Sequence, residues 1–374
     1  MRLLHLSDLH LGRRLGEIDL YQDQAFLLEQ LVELAKQYKV DALLIAGDVY
    51  DRTVPSVGAM QLLDDFLTAL AREKLPVYII SGNHDSADRL GYASGFLAQQ
   101  GVHLASVFEG SLVRWQLGDE YGPLTLWALP FVKPAGVRHF LPEEPIENCT
   151  DAVAAVIRQA APDFSQRNLL MAHQFVVGHG GAPAAAGSES VNVGTLDDVD
   201  ASVFDGFDYV ALGHIHGAQA AGRPQIRYCG TPMKYSVAEA NQTKSALLVE
   251  VGPKGQVDWQ AIELPCLHQL RRVEGPLEVL VQNAQATEDY IYAVLTDQAP
   301  VMDAAARLRA VYPNLVKIDF TYARTLAQPQ GPAERQTPQT PLELFDEFYS
   351  SVHGAAMDPE ERALMAQVFE EVEA

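Results

Sequence analysis

Met1-Arg2-Leu3-Leu4-His5-Leu6-Ser7-Asp8-Leu9-His10-Leu11-Gly12 opens the chain. Leu3 to Leu6 is an apolar run of strand length, and it ends in a polar turn that carries Asp8 and His10. The same rhythm returns downstream, with strand candidates at Ala42 to Ala46, Val77 to Ile80, Leu124 to Leu129, Leu169 to Ala172 and Tyr209 to Leu212. Between them, Tyr21 to Tyr38 and Val57 to Arg72 carry helical spacing; in the second, Asp64 and Asp65 stand against Leu62, Leu63, Phe66 and Leu67. Strand, polar turn and amphipathic helix in alternation predict a layered α/β fold. Ile226 to Cys229, Ser245 to Val251 and Val257 to Leu264 read as further strands.

After Leu267 the pattern shortens. Strand (Gln269 to Val273), helix (Leu277 to Gln285), strand (Tyr290 to Leu295), helix (Asp303 to Tyr312) and strand (Val316 to Tyr322) predict a small second domain. Ala327 to Pro341 is rich in Pro and Gln and almost free of apolar residues, which marks a linker. Beyond it, Leu342, Phe345, Phe348, Tyr349 and Val352 form one helical stripe. Asp358 and Pro359 start a second helix carrying Leu364, Met365, Val368, Phe369 and Val372. The expected division is 1–265, 266–325, a linker at 326–341 and a helix pair at 342–374. No internal repeat stands out, and Gly178 to Gly187 reads as a flexible loop.

Of 374 residues, 48% are hydrophobic and 20% charged, the balance of a folded globular chain rather than a disordered one. Lys and Arg number 27 against 49 Asp and Glu, for a net charge of −22. Such a chain lacks the basic surface of a protein that grips nucleic acid unaided, so any attraction to phosphate has to come from bound cations or a partner. Cys149, Cys229 and Cys266 are odd in number and widely spaced, which argues against disulfides and thiolate zinc sites. No basic leader with a long apolar core and no run of about 18 apolar residues is found, so a soluble cytoplasmic protein is expected.

Five motifs follow strand-like runs: Asp8-Leu9-His10, Gly47-Asp48-Val49-Tyr50-Asp51, Gly82-Asn83-His84-Asp85, Ala172-His173 and Gly213-His214-Ile215-His216. Each alone reads more simply as a cap or a satisfied polar residue. Together they place five of eleven histidines beside Gly or carboxylate at the same end of successive strands, where α/β folds assemble their sites. Imidazoles mixed with carboxylates and an amide oxygen suit Mn, Fe or Zn better than Mg. The set is too large for one ion. Two ions sharing a carboxylate, roughly 3.5 to 4 Å apart, fit hydrolysis of a phosphoester by in-line attack.

This series resembles the calcineurin-like metallophosphoesterase superfamily, a β-sandwich flanked by helices. More narrowly, the opening twelve residues, Ala211 to His216 and Tyr228-Cys229-Gly230-Thr231-Pro232 resemble the nuclease subunits of bacterial SbcCD DNA-repair complexes. Those subunits add a small α+β capping domain and a terminal helix pair, so the likeness spans nearly the whole chain. It implies one metal on Asp8, His10, Asp48 and His216 and another on Asp48, Asn83, His173 and His214, with Asp48 shared. It also implies that His84 is no ligand but faces the scissile phosphate, where it stabilises charge or protonates the leaving oxygen. Asp51 and Asp85 then support the ligands without touching metal.

His5, His103, His139, His179, His268 and His353 lack motif context and are assigned to surface or core. Arg13, Arg14, Arg52, Lys133 and Arg138 are candidates for DNA phosphates, weighed evenly against solvated faces. No G-x-x-x-x-G-K-[ST] occurs, so the chain is not expected to hydrolyse ATP. By resemblance, the expected function is an Mn2+-dependent DNA exonuclease and single-strand or hairpin endonuclease. An SbcC-type ATPase would dock on the terminal helices, and the helices Val57 to Arg72 and Arg89 to Gln100 would pair with their copies in a second subunit to give a homodimer. A small-molecule phosphodiesterase or phosphatase of the same fold, and a non-catalytic scaffold, are the alternatives.

Overall fold

A computed structural model describes residues 1–178, 181, 183, 198–321, 340–353 and 356–373. The opening strand, Arg2–Leu6, lies in the middle of a six-stranded sheet in the order Val257–Glu263, Ser245–Val251, Arg2–Leu6, Ala42–Ala46, Val77–Ile80, Val102–Ala105. The last four strands run parallel, and the first two pair antiparallel at one edge. A second six-stranded sheet has the order Gln219–Ala220, Ile226–Tyr228, Tyr209–Gly213, Arg167–His173, Gly122–Leu129, Val113–Asp119, with its four central strands parallel.

The two sheets pack face to face. Leu3, Leu44, Ala46 and Ile80 of the first meet Leu124, Leu126, Leu169, Met171 and Ala211 of the second in one buried cluster. The alternate residues face outward. Leu4, Leu6, Leu43 and Ile45 pack under helices Tyr21–Gln37 and Val57–Arg72, while Leu170, Ala172, Val210 and Leu212 pack under Cys149–Ala160. Burial on both faces explains why these strands read as continuous apolar runs rather than alternating ones.

The edge strand Val113–Asp119 is half exposed, and its mixed residues gave no strand signal. Helix Cys149–Ala160 is an addition to the expected elements; it starts where the Asn148 side chain accepts from the Asp151 N–H at 2.9 Å. The continuous helix expected over Arg89 to Gln100 is corrected. The segment is two single turns, Ala87–Leu90 and Ser94–Leu97, followed by a 3-10 turn at Ala98–Gln100, because Ala93 adopts φ 60° and interrupts the i to i+4 ladder.

Downstream, strands Leu270–Gly275, Tyr290–Leu295 and Leu315–Phe320 form a three-stranded sheet. The unit expected as α+β alternates strand and helix, with all three strands parallel. One face packs on helices Leu277–Gln282 and Ala304–Val311. The other places Leu270, Tyr290, Tyr292 and Val294 in the same cluster as Leu20 and Leu27 of the first helix layer. Asp23 ties the two units together, accepting from the Tyr290 hydroxyl at 2.5 Å and from the His268 backbone N–H at 3.2 Å.

Helices Pro341–His353 and Pro359–Glu373 pair through Phe345 and Phe369, with ring centroids 5.8 Å apart, and through Arg362 and Asp346 at 2.7 Å. Almost all of the linker expected over 326–341, most of the 178–187 loop and His179 lie outside the described residues. No described helix is long and apolar enough to cross a membrane.

Candidate metal centre

The motif-bearing strands come from both sheets and end at the same rim of the sandwich. Past its last strand residue the first loop still follows its neighbour: Asp8 N–H donates to Gly47 O at 3.0 Å and His10 N–H to Asp48 O at 3.0 Å. This holds the two loops in step while their side chains turn inward. Asp8, His10, Asp48 and His214 have φ of 53°, 42°, 49° and 107°, positions that residues with a Cβ rarely occupy. Backbone strain of this kind gathers at functional sites and is held by the surrounding structure.

Two glycines make the close approach possible. A Cβ on Gly82 would stand 2.1 Å from Asp48 Oδ1, and one on Gly213 2.0 Å from Ala46 O. The neighbouring His84 N–H donates to that same Asp48 oxygen at 2.8 Å, and the His214 N–H donates to Asp8 at 3.1 Å.

All seven residues read as ligands meet here. His10 Nε2 and His216 Nε2 are 3.1 Å apart, and Asp8 joins them in a cluster whose donor atoms lie within 4.8 Å of one another. His173 Nδ1 donates to Ala46 O at 2.8 Å, and its Nε2 stands 3.5 Å from Asp48 Oδ2 and 3.1 Å from Asn83 Oδ1. His214 Nδ1 lies 2.9 Å from the same Asn83 oxygen. Asp48 Oδ2 is also 3.8 Å from His10 Nε2, between the two groups.

The donors fit divalent cations. His10 Nε2 and His216 Nε2 stand at hydrogen-bond distance, 3.1 Å, which is also the spacing of two ligands of one cation, each about 2.0–2.1 Å from it. Two buried carboxylates with no Lys or Arg among the donors also call for a compensating positive charge. Burial opposes ionisation at both. At Asp48 the neighbouring His173 overcomes it. Against the ring's own burial, the Asp48 charge lifts His173 to about 9. The imidazolium so formed holds the Asp48 carboxyl far below the usual carboxylate range, a positive charge that a bound cation would replace. At Asp8 burial prevails over His173 and His216, and the charge of Asp48 adds to it, so the carboxyl moves up. Burial pushes His10 well down and His214 to about 3, keeping both rings neutral as ligation requires.

His84 is half-buried, edge-on to His10, with ring centroids 4.9 Å apart. Its Nδ1 donates to Asp51 O at 3.0 Å. Asp85 receives the N–H groups of Val49, Tyr50 and Gly82, pinning the second loop to the third. Burial and the nearby Asp48 charge push its carboxyl up to about 6 against those three bonds. Arg13 donates to Asp51 at 2.9 Å and Arg138 to Ile146 O at 3.1 Å, so both are occupied in holding loops. Arg14 donates to Glu17 O, while Arg52 and Lys133 are solvent-facing.

Residues 1–218 match the family model described as calcineurin-like phosphoesterase. The chain belongs to that family. Residues 266–353 match a second model, described as type 5 capsule protein repressor C-terminal domain. The SbcD component of the nuclease SbcCD from Staphylococcus saprophyticus is similar, 28% identical over 368 residues, covering 95% of this chain and 94% of that one. A crystal structure of a dimetal phosphatase from Danio rerio aligns with 71% of this chain and 98% of its own at 13% identity and a TM-score of 0.41.

Around this candidate centre the structure adds residues with no motif signal. Gln24, buried in the first helix, donates to His10 O and accepts from Gly12 N–H, each at 2.9 Å, bracing the first loop. The Tyr235 hydroxyl donates to Leu9 O, and its ring stands edge-on to His10. Glu239 and Lys244 lie behind His216. A helix-interior Gln and a Glu in a short 3-10 turn, Val237–Glu239, have no local pattern that could have singled them out. Of the histidines set aside, His5 is wholly buried between Tyr209 Oη at 2.9 Å and Leu212 O at 3.1 Å, and His103 stacks on Tyr78.

Proposed function

We propose that the chain is the nuclease subunit of an SbcCD-type complex. It hydrolyses DNA phosphodiesters, exonucleolytically from duplex ends and endonucleolytically on single strands and hairpins, in the cytoplasm. The observation that carries the reading is the convergence of seven donors from both sheets on two adjoining groups, with Asp48 Oδ2 facing both. In this reading Asp8, His10, Asp48 and His216 hold one Mn2+, and Asp48, Asn83, His173 and His214 hold the other. Two such ions supply Lewis-acid stabilisation of a phosphoryl group and activation of water.

The chain's own groups do the rest. The Asp51 carbonyl fixes the His84 proton on Nδ1, so the ring turns Nε2 toward the reacting phosphate. Protonated at Nε2 as well, the imidazolium donates a hydrogen bond to a phosphoryl oxygen there, or that second proton to the departing one. Buried Gln24 and Asp85 keep the loops from relaxing when substrate leaves.

Net charge of −22 leaves most of the DNA grip to an SbcC-type ATPase. Leu344, Phe348, Leu364 and Val368 are exposed on the terminal helix pair and offer it an apolar docking surface. Val57 and Met60 on helix Val57–Arg72, and Tyr92 and Phe96 on the broken segment, are exposed and form the face for a second copy, giving a homodimer within a heterotetramer.

The test is cleavage of end-labelled duplex DNA by wild type and His84→Ala with Mn2+ or Mg2+. Mn2+-dependent cutting that His84→Ala abolishes supports the reading. Turnover of small phosphate esters alone replaces it with a small-molecule phosphatase.

A further inference from the structure

Glu239 has no accessible surface, although a fully buried carboxylate is costly unless it is paired. Its Oε2 accepts from Lys244 Nζ at 2.5 Å and from the Thr231 hydroxyl at 3.1 Å. Its Oε1 is turned the other way, 3.6 Å from Nδ1 of His216. The opposite nitrogen of that ring, Nε2, points at His10 Nε2. The same cluster also holds the His216 main chain: Lys244 Nζ donates to His216 O at 3.1 Å, as does the Thr231 N–H at 3.1 Å. His216 is thus faced at its ring and held at its backbone by a buried ion pair whose members lie 23 and 28 residues downstream.

Other histidines of the centre are held differently. His173 gives Nδ1 to a backbone carbonyl, and the Asp51 carboxylate lies 3.7 Å from His10 Nδ1 and is itself bonded by Arg13. His216 is the one backed by a carboxylate that a buried lysine balances.

We propose that Glu239, set by Lys244, is the positioning residue for His216. It directs the ring so that Nε2 serves the cation shared with Asp8 and His10, and leaves the Asn83, His173 and His214 group untouched. Carboxylates behind a ligating imidazole fix its tautomer and orientation, and removing them typically weakens metal binding by about 10–100-fold. The inference rests on the two-cation reading given above.

The experiment titrates Mn2+ into metal-stripped full-length chain, wild type and Glu239→Gln, by calorimetry and by electron paramagnetic resonance. Wild type is expected to bind two ions with an exchange-coupled spectrum. In Glu239→Gln one ion binds as in wild type and the other is weakened by about 10–100-fold, so at intermediate Mn2+ the spectrum is that of an isolated ion. A merely structural role would weaken both ions alike, and that result overturns the proposal. So does a variant that binds both ions as wild type does. Fewer than two ions in wild type instead overturns the two-cation reading. Should Glu239→Gln not fold, Glu239→Gln with Lys244→Met leaves no unpaired charge and is read by the same two measurements.

Discussion

Replacing Gly82 by Ala is the sharpest perturbation of the centre that changes no donor. The added Cβ would stand 2.1 Å from Asp48 Oδ1 and 2.4 Å from the Asp48 backbone N, where 3.0 Å is the practical floor for such contacts. Roughly 0.9 Å must therefore be taken up at the carboxylate that faces both ligand groups. Neither neighbour yields cheaply: Asp48 sits at φ 49°, and its Oδ1 is bonded by the His84 N–H. Crowding on this scale lowers stability by about 1–3 kcal/mol, and a misplacement near 1 Å lowers turnover by about 10²-fold. Denaturant unfolding, Mn2+ calorimetry and single-turnover DNA cleavage measure the three consequences. Gly95→Ala is the control, since nothing lies within 4 Å of its Cβ and its φ is ordinary, so it should cleave as wild type. A Gly82→Ala variant with wild-type Mn2+ affinity and cleavage would refute the packing argument and, with it, the placement of Asp48 between two cations.

His84→Ala should lower the cleavage rate by about 10²–10⁴-fold with Mn2+ stoichiometry unchanged, which equilibrium dialysis beside a rate assay reads. Burial pushes His5 down to about 3 from its ordinary 6.5. The unfolded chain therefore takes up a proton below pH 6.5 that the folded chain refuses until about pH 3. Stability conferred by the neutral ring is complete above pH 6.5 and falls by about 1.4 kcal/mol per pH unit below it, roughly 2 kcal/mol by pH 5. His5→Gln should flatten that slope by one proton in denaturant titrations between pH 6.5 and 5. Chelation of metal should lower the melting temperature, and Mn2+ at 100 times its Kd should restore about 2.7 kcal/mol; equal melting with and without metal would count against the centre. Leu364→Glu should abolish co-purification with an SbcC-type ATPase while the isolated chain keeps its melting temperature and basal cleavage.

The parallel strands were legible because burial on both faces makes them uninterrupted apolar runs, and the candidate ligands stood out because each is among the first polar residues after such a run. Asp8, Asp48, Asn83, His173 and His214 all fall within three residues of a strand end. Val113–Asp119 escaped notice for the converse reason: an edge strand half in water has no apolar signature. The segment after Arg89 has helical composition, yet Ala93 turns left-handed, and no spacing rule detects a single positive φ at an alanine.

What the sequence determined by itself was local: which strands form, where each stops, and which side chains stand at the rim. What only the tertiary structure decided was how residues far apart in the chain complete that rim: Gln24 under His10, Asp85 across to Val49, Glu239 and Lys244 behind His216. The reason is physical. Strand and turn signals arise from each residue's preference for water or apolar surroundings within a few neighbours. A supporting hydrogen bond is made by an ordinary polar residue, and only the packing of both sheets with their helices brings it within reach and dries its surroundings enough for it to hold a ligand in place.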